Sequence, residues 1–133
     1  RPCAGCESPR SPVTVRTDAS TGVTAAFNTK LLLRLNRELG GGVDPRSFGH
    51  RSCYDERQSR IEMHLVSLRE QSVRIDALNV EVAFSEGETI HTENSYKYDD
   101  DALAQMAADS GFEMGGRWTD SQNLFVDVLL TTR

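Results

Sequence analysis

A short stretch of the sequence, from Thr89 to Lys97, carries more polar side chains than a buried strand usually holds. In an extended strand, alternate side chains point to opposite faces. One face would carry Thr89, His91, Glu93, Ser95 and Lys97, and the other Ile90, Thr92, Asn94, Tyr96 and Tyr98. Glu93 and Ser95 then share a face, roughly 7 Å apart. A carboxylate and a hydroxyl at this spacing could hold two polar atoms of one small ring, such as the nitrogens of an imidazole.

A second interpretation of the same stretch stays open. A strand with few aliphatic side chains on either face is poor core material, so it forms either the floor of a polar pocket or a solvated edge. Charged side chains on an edge strand also protect a sheet against aggregation. The pattern alone does not decide between the two.

The three cysteines give a weaker signal of chemistry. Cys3 and Cys6 have the C-x-x-C spacing of half a zinc site or of a redox pair, and Cys53 with His50 is the nearest pair that could complete a zinc site. The motif lies in a Pro- and Ser-rich opening and not between a strand and a helix. We therefore expect a tail with reduced cysteines and no metal site.

Three further residues on predicted strands could do chemistry. His64 and His91 have no second and third ligand at metal spacing, so we expect them to be surface or pocket histidines. Met63 faces inward by alternation, as core methionines usually do.

Length and charge restrict the class of protein. The chain has 133 residues and a net charge of −5, which suits one domain with its own core. The negative charge argues against nucleic-acid binding, which needs a basic face. No apolar run approaches the ~20 residues that span a bilayer, and no signal peptide is recognisable. We expect a cytoplasmic protein without nucleic-acid or membrane partners.

The first half of the chain predicts a helix and then strands. An apolar stripe of Val23, Phe27, Leu31 and Leu35 predicts an amphipathic helix from about Thr21 to Leu39, which the glycines 40–42 end. Asp44-Pro45 predicts a capped short turn that includes Phe48. The period then changes to two, which predicts four strands. The first strand contains Ile61, Met63 and Leu65, and the second contains Val73 and Ile75 and is expected to pair with the first. The third contains Val80, Val82 and Phe84, and the fourth runs from Thr89 to about Tyr98.

The last third predicts a second helix and two more strands. Asp99, Asp100 and Asp101 precede a helix over 102–110, and carboxylates there cap the helix and suit its dipole, so they do not indicate a metal site. Leu103, Met106 and Ala107 would form its buried stripe, and two strands follow over 113–118 and 123–130. The fold class is therefore α+β, with two main helices and a mostly antiparallel or mixed sheet.

Five motifs in the same order resemble a known family. They are Gly22-Val23-Thr24-Ala25-Ala26-Phe27-Asn28; Leu35-Asn36-Arg37-Glu38-Leu39-Gly40; Arg60-Ile61-Glu62-Met63; Gly87-Glu88-x-Ile90-x-Thr92-Glu93-x-Ser95-x-Lys97; and Trp118-Thr119-Asp120. This pattern resembles the C-terminal part of the histidine-specific, S-adenosylmethionine-dependent methyltransferases, a transferase family that includes an enzyme of ergothioneine synthesis. The resemblance covers about residues 16–130.

The resemblance implies a domain plan and a site. Residues 16–98 would form the substrate-binding part, and residues 99–133 the edge of a Rossmann-like methyltransferase sheet. Residues 1–15 lie outside the resemblance, and their Pro- and Cys-containing composition predicts a flexible tail. Glu93 and Ser95 would hold the imidazole of a histidine-like substrate. Thr24, Asn28 and Met63 would line the same pocket.

The resemblance also bears on activity. The family's S-adenosylmethionine-binding half precedes the matched region, so we expect this chain to be a fragment that neither binds the cofactor nor catalyses methyl transfer alone. An alternative is a free-standing, non-catalytic module that binds a small ligand or associates with itself through an exposed sheet edge.

Overall fold

The computed structural model describes residues 22–133, which divide into two compact units, one containing the described residues 22–96 and the other residues 97–133. The first unit contains α1 (Val23–Leu39), β1 (Phe48–Asp55), β2 (Arg60–Ser67), β3 (Gln71–Ile75), β4 (Val80–Phe84) and β5 (Thr89–Tyr96). The second contains α2 (Asp100–Asp109), β6 (Phe112–Thr119) and β7 (Val126–Thr132). All strand pairs between described residues are antiparallel, so the α+β class with two main helices is confirmed. Within residues 22–133, neither helix has the length and apolar character needed to cross a bilayer.

Helix α1 ends as predicted but packs through a different face. It stops at Leu39, where Gly40 adopts a left-handed conformation (φ 62°) and its N–H donates to the carbonyl of Leu35. The predicted buried stripe is wrong at three of its four positions, because Val23, Phe27 and Leu31 are 65%, 63% and 44% exposed.

The buried residues of α1 are Asn28 and Leu32, and Leu35 is partly buried. Three consecutive leucines, 31–33, give the helix apolar groups on a wide arc. Contact with the sheet, and not the number of apolar residues, therefore selects the buried side.

The segment after α1 contains a strand that the sequence analysis missed. The carboxylate of Asp44 accepts a hydrogen bond from the N–H of Arg46 (3.0 Å), and Pro45 begins a short 3₁₀ turn, as predicted. The prediction that this turn includes Phe48 is wrong, because Phe48 is the first residue of β1. The strand was missed because its residues, FGHRSCYD, are mostly polar on both faces.

The central sheet has the order β1-β2-β5. The predicted pairing of β2 with the Val73–Ile75 strand is wrong, because β3 pairs with β4 in a separate hairpin. The free edge of β2 is instead taken by the chain that leads into β5. The N–H of Ser67 donates to the carbonyl of Glu88, and the N–H of Gly87 donates to the carbonyl of Ser67, both at 2.8 Å.

A β-bulge at Thr92 changes the predicted faces of β5. Met63 pairs with Glu93 but its neighbour His64 pairs with His91, so Thr92 is the extra residue. Its hydroxyl donates to the carbonyl of Met63 (2.9 Å), which satisfies an acceptor at the irregularity. Glu93 and Ser95 still share one face, as predicted. The prediction that Thr89 and His91 lie on that face is wrong, since the bulge moves them to the opposite one.

The core of the first unit lies between α1, the central sheet and the β3–β4 hairpin. Its buried residues are Leu32, Val43, Phe48, Leu65 and Val73. The ring of Phe84 meets that of Phe48 edge-on, with centroids 5.4 Å apart. This packing covers one half of one sheet face, and the other half carries the candidate site.

In the second unit the acidic run caps a helix, as predicted. The carboxylate of Asp99 accepts from the N–H of Ala102 (2.8 Å), and Asp100 pairs with Arg117 of β6 (2.9 Å). Ala107 is buried, but Met106 is 44% exposed, so the predicted stripe is wrong at that position. β6 and β7 form a hairpin that leaves large apolar side chains exposed, among them Trp118, Phe125 and Leu129.

Candidate functional site

The central sheet has two chemically different faces, defined by the pairing of its strands. The helix-side face, which α1 contacts, carries one row of Ser52, Met63 and Glu93 and a second row of Tyr54, Ile61 and Ser95. The opposite face, here called the ionic face, carries one row of Arg51, His64 and His91 and a second row of Cys53, Glu62 and Asn94.

On the helix-side face the register brings together three of the predicted site residues. Met63 is directly opposite Glu93, and Ile61 is directly opposite Ser95. Paired residues of antiparallel strands have Cα atoms about 4.5–5.5 Å apart and side chains on the same side of the sheet. Met63 therefore lies beside Glu93 and one row from Ser95.

Helix α1 adds the remaining two predicted residues. The side-chain amide of Asn28 donates to the backbone carbonyl of His64 (3.2 Å) and lies 3.0 Å from Nδ1 of His50. Asn28 thus ties the helix to β1 and β2 at once. Thr24 lies one turn earlier, on the same side of the helix. The five predicted residues consequently belong to one face of the first unit.

Their burial differs in a way that matters for binding. Asn28 and Met63 are buried, Thr24 and Ser95 are half-buried, and Glu93 is exposed. Two clefts lined by described residues lie elsewhere, one around Gln71 and Phe84 and the other within the second unit. Asn28 and Met63 are thus buried beside the exposed carboxylate of Glu93.

Two neighbours on this face were missed by the sequence analysis. His50 and Ser52 lie on β1, in register with Leu65 and Met63. The hydroxyl of Ser52 is buried and has no hydrogen-bond partner among residues 22–133. Recognising a strand over 48–55 would have placed both residues beside Met63, because alternate positions face the same way.

The ionic face holds a buried carboxylate. Glu62 is 6% exposed, and its carboxylate accepts from Nε of Arg60 (3.0 Å) and lies 3.1 Å from Nε2 of His64. Burial alone raises the pKa of Glu62, but the hydrogen bonds from Arg60 and His64 outweigh it and leave that pKa below its usual range. Glu62 is thus a charged, hydrogen-bonded anchor of the sheet.

His64 is held in its neutral form. The ring is 4% exposed and stacks on that of His91 with centroids 4.7 Å apart, so the expectation of a surface or pocket histidine is wrong for His64. Burial lowers the pKa of His64, and the charges of His91 and Arg51 act in the same direction. The hydrogen bond to Glu62 opposes this shift without reversing it.

The fold brings together a set of metal-ligand atoms that the sequence spacing did not reveal. Ligand atoms of Cys53, Glu62 and His64 lie within 4.8 Å of one another, so the expectation that His64 lacks such neighbours is wrong. The charge balance nevertheless opposes a cation. Arg60 already pairs with the Glu62 carboxylate, and Arg51 lies next to His64 in the sheet. We interpret the set as a hydrogen-bond network. Cys3 and Cys6 lie outside the described residues.

Comparisons with known proteins agree with the motifs. A family model described as histidine-specific methyltransferase, SAM-dependent, matches residues 10–132. A histidine N-alpha-methyltransferase of Mycolicibacterium smegmatis (strain ATCC 700084 / mc(2)155) is 39% identical over 103 residues, which are 77% of this chain and 32% of that protein. A histidine N-alpha-methyltransferase of Mycobacterium tuberculosis (strain CDC 1551 / Oshkosh) is 37% identical over 108 residues, which are 81% of this chain and 34% of that protein. The chain spans about a third of the length of these curated relatives. It belongs to the histidine-specific, SAM-dependent methyltransferase family.

Proposed function

We propose that this chain supplies the histidine-binding surface of a SAM-dependent histidine N-methyltransferase. One observation carries the proposal, namely the register that sets Met63 opposite Glu93 and Ile61 opposite Ser95 on the face that α1 contacts. The names of the relatives, histidine N-alpha-methyltransferase, indicate the substrate class. An ergothioneine-related product and a cytoplasmic location are our expectations from the resemblance and composition.

Glu93 and Ser95 suit the two nitrogens of an imidazole. A carboxylate accepts a hydrogen bond from one ring N–H, and a hydroxyl can donate to or accept from the other nitrogen. Both side chains stand on one face at a separation of two residues, roughly 7 Å along the strand. The ring would lie between them, with Met63 as an apolar floor.

Helix α1 would hold the other end of the substrate. Asn28 is fixed by its bonds to the sheet, and Thr24 stands one turn away from it. Two polar groups on a helix face, with a carboxylate and a hydroxyl on the sheet below, could fix an amino acid at both ends. The contribution of such a surface to methyl transfer is to position the amine.

The described residues do not fit the methyl donor. Rossmann-type sheets bind nucleotides at a glycine-rich turn between a strand and the next helix. Within residues 22–133, the passage from β5 to α2 consists of Lys97, Tyr98 and Asp99 and has no glycine. We derive no step through the cofactor, and we predict that this chain alone does not bind it.

A second candidate is a non-catalytic module that associates with itself, favoured by the exposed apolar side chains of the β6–β7 hairpin. In the first candidate the same hairpin would complete the edge of a Rossmann-like sheet. Light scattering after size exclusion tests self-association, which Phe125→Ser should weaken. The matched control is Phe27→Ser, an equally exposed apolar residue of the first unit. A monomer at all concentrations would exclude this candidate.

Calorimetric titration with histidine tests the first candidate. We expect saturable binding that Glu93→Gln weakens by about tenfold, because the side chain keeps an acceptor oxygen but loses the charge that strengthens the hydrogen bond. Glu86→Gln is the control, because Glu86 is an exposed carboxylate of the β4–β5 turn and lies outside the site. Binding that survives Glu93→Gln unchanged, or no binding to the unmodified chain, would reject the proposed site.

A further inference from the structure

Three basic residues form one row across the ionic face. Arg51 of β1 pairs with His64 of β2, and His64 pairs with His91 of β5. Paired residues of an antiparallel sheet have their side chains on the same side, and the two imidazoles are stacked. We call Arg51, His64 and His91 the basic row. Nothing in the proposed substrate surface uses it, since that surface is on the other face.

The basic row contains hydrogen-bonding atoms that no described residue satisfies. Nε and Nη2 of Arg51 are buried without a hydrogen-bond partner among residues 22–133, and so is Nδ1 of His64. Nε and Nη2 form one edge of the planar guanidinium, the edge that donates two parallel bonds to a pair of oxygens. Leaving a charged donor buried and unsatisfied is costly, so this edge is suited to an acceptor.

The neighbouring acidic group does not neutralise Arg51. The carboxylate of Glu62 is one row away, where it accepts from Arg60 and meets Nε2 of His64. The imidazole of His91 is held by Oδ1 of Asn94 (2.8 Å) and by the carbonyl of Glu93 (3.2 Å). Among residues 22–133 no acceptor meets this edge of Arg51, so its positive charge can attract an anion and repels a metal ion.

We propose that the basic row binds a small oxyanion, a carboxylate or phosphate group whose two oxygens accept from Nε and Nη2 of Arg51. His64, whose Nε2 faces the Glu62 carboxylate, lies in the middle of the row and offers no donor to the anion, and the exposed His91 lies at the far end. This site is separate from the proposed histidine surface and does not depend on it.

NMR observation of the Arg51 Nε–Hε signal during titration with phosphate, sulfate and formate tests the proposal. Chloride at equal ionic strength measures the non-specific response. We expect a saturable shift of the Arg51 signal with at least one oxyanion. Calorimetric titration with the same anions, which does not need that signal, should show binding about tenfold to a hundredfold weaker in Arg51→Met. Arg57→Met, at an exposed arginine of the β1–β2 turn, is the matched control and should bind normally.

Arg51→Lys separates the guanidinium edge from its charge. Because lysine keeps the charge but has no planar fork, binding should still weaken in this variant. If Arg51→Met does not fold, the unmodified protein and Arg51→Lys carry the test. An Arg51 signal that responds to no oxyanion, or only as it responds to chloride, would overturn the proposal. If Arg51→Lys binds the oxyanion as tightly as the unmodified protein, the two-bond geometry on which the proposal rests is wrong.

Discussion

The two faces of the central sheet use the same three strands for different purposes. The helix-side face is apolar where α1 and the β3–β4 hairpin cover it, and it becomes polar at Glu93 and Ser95. The ionic face buries its charges and imidazoles in a connected network around Glu62 and His64. Exposure, and not polarity alone, therefore distinguishes the proposed binding surface from the buried network. Glu93 is exposed, whereas the carboxylate of Glu62 is buried and accepts from Arg60.

The largest expected effect is the loss of the apolar half of the helix-side face. Leu65 is completely buried between α1 and the sheet. Leu65→Ala should lower the free energy of unfolding by about 3–5 kcal/mol, through lost burial and the cavity that remains. Chemical denaturation measures it, with Leu33→Ala as control because Leu33 is 53% exposed. Equal costs for the two variants would show that the core is placed wrongly.

A smaller effect is expected from breaking the network on the ionic face. Glu62→Gln removes the charge that Arg60 and His64 contact, and leaves a buried side chain with poorer acceptors. We expect a loss of about 1–3 kcal/mol in the free energy of unfolding. Glu81→Gln, at an exposed position of β4, is the control. The folded fraction of Glu62→Gln should bind histidine as the unmodified protein does. If the folded variant no longer binds histidine, the two faces do not act separately.

The same network predicts an acid-sensitive fold. The pKa of His64 is lowered by burial, so the unfolded chain binds its proton more readily, and stability falls as the pH drops from about 6.5 through the folded-state value. The pKa of Glu62 is lowered despite its burial, which adds a further loss below pH 4.5. The groups around His64 are Glu62, His91, Arg51 and Cys53.

Denaturation at a series of pH values measures both parts of this dependence. His64→Gln should flatten the curve near pH 6, because its side chain does not titrate, and Glu62→Gln should flatten it below pH 4.5. If the curve for His64→Gln runs parallel to that of the unmodified protein near pH 6, the titration of His64 does not cause the loss of stability there.

The smallest expected effect concerns the bulge that separates the faces. Thr92→Val keeps the shape of the side chain but removes the hydrogen bond to the carbonyl of Met63. We expect a loss of about 1 kcal/mol in the free energy of unfolding. Thr89→Val on the same strand is the control and should cost less. If the two variants cost the same, the hydroxyl does not stabilise the bulge.

Local signals in the sequence predicted part of this structure. Asp44 and Asp99 were placed correctly as caps, because a carboxylate before a helical turn accepts from free N–H groups. Glu93 and Ser95 were placed correctly on one face, because their spacing of two is not affected by the bulge. The class of the fold followed from the change of hydrophobic period at about Arg60.

The rest depends on contacts between distant residues. The bulge at Thr92 has no glycine or proline to mark it, so His91 could not be assigned to its face from the sequence. Strand β1 lacks apolar alternation and owes its existence to pairing with β2. The meeting of Cys53, Glu62 and His64 follows from that pairing and has no sequence spacing of its own.

Methyl-labelled methionine gives the most direct test of the central claim, that histidine binds on the helix-side face. The chain has three methionines, of which Met63 is on that face and Met106 and Met114 are in the second unit. On titration with histidine, we expect the Met63 methyl signal to shift to saturation, while the signals of Met106 and Met114 stay in place. If calorimetry shows that histidine binds but the Met63 signal does not move, histidine does not bind on this face.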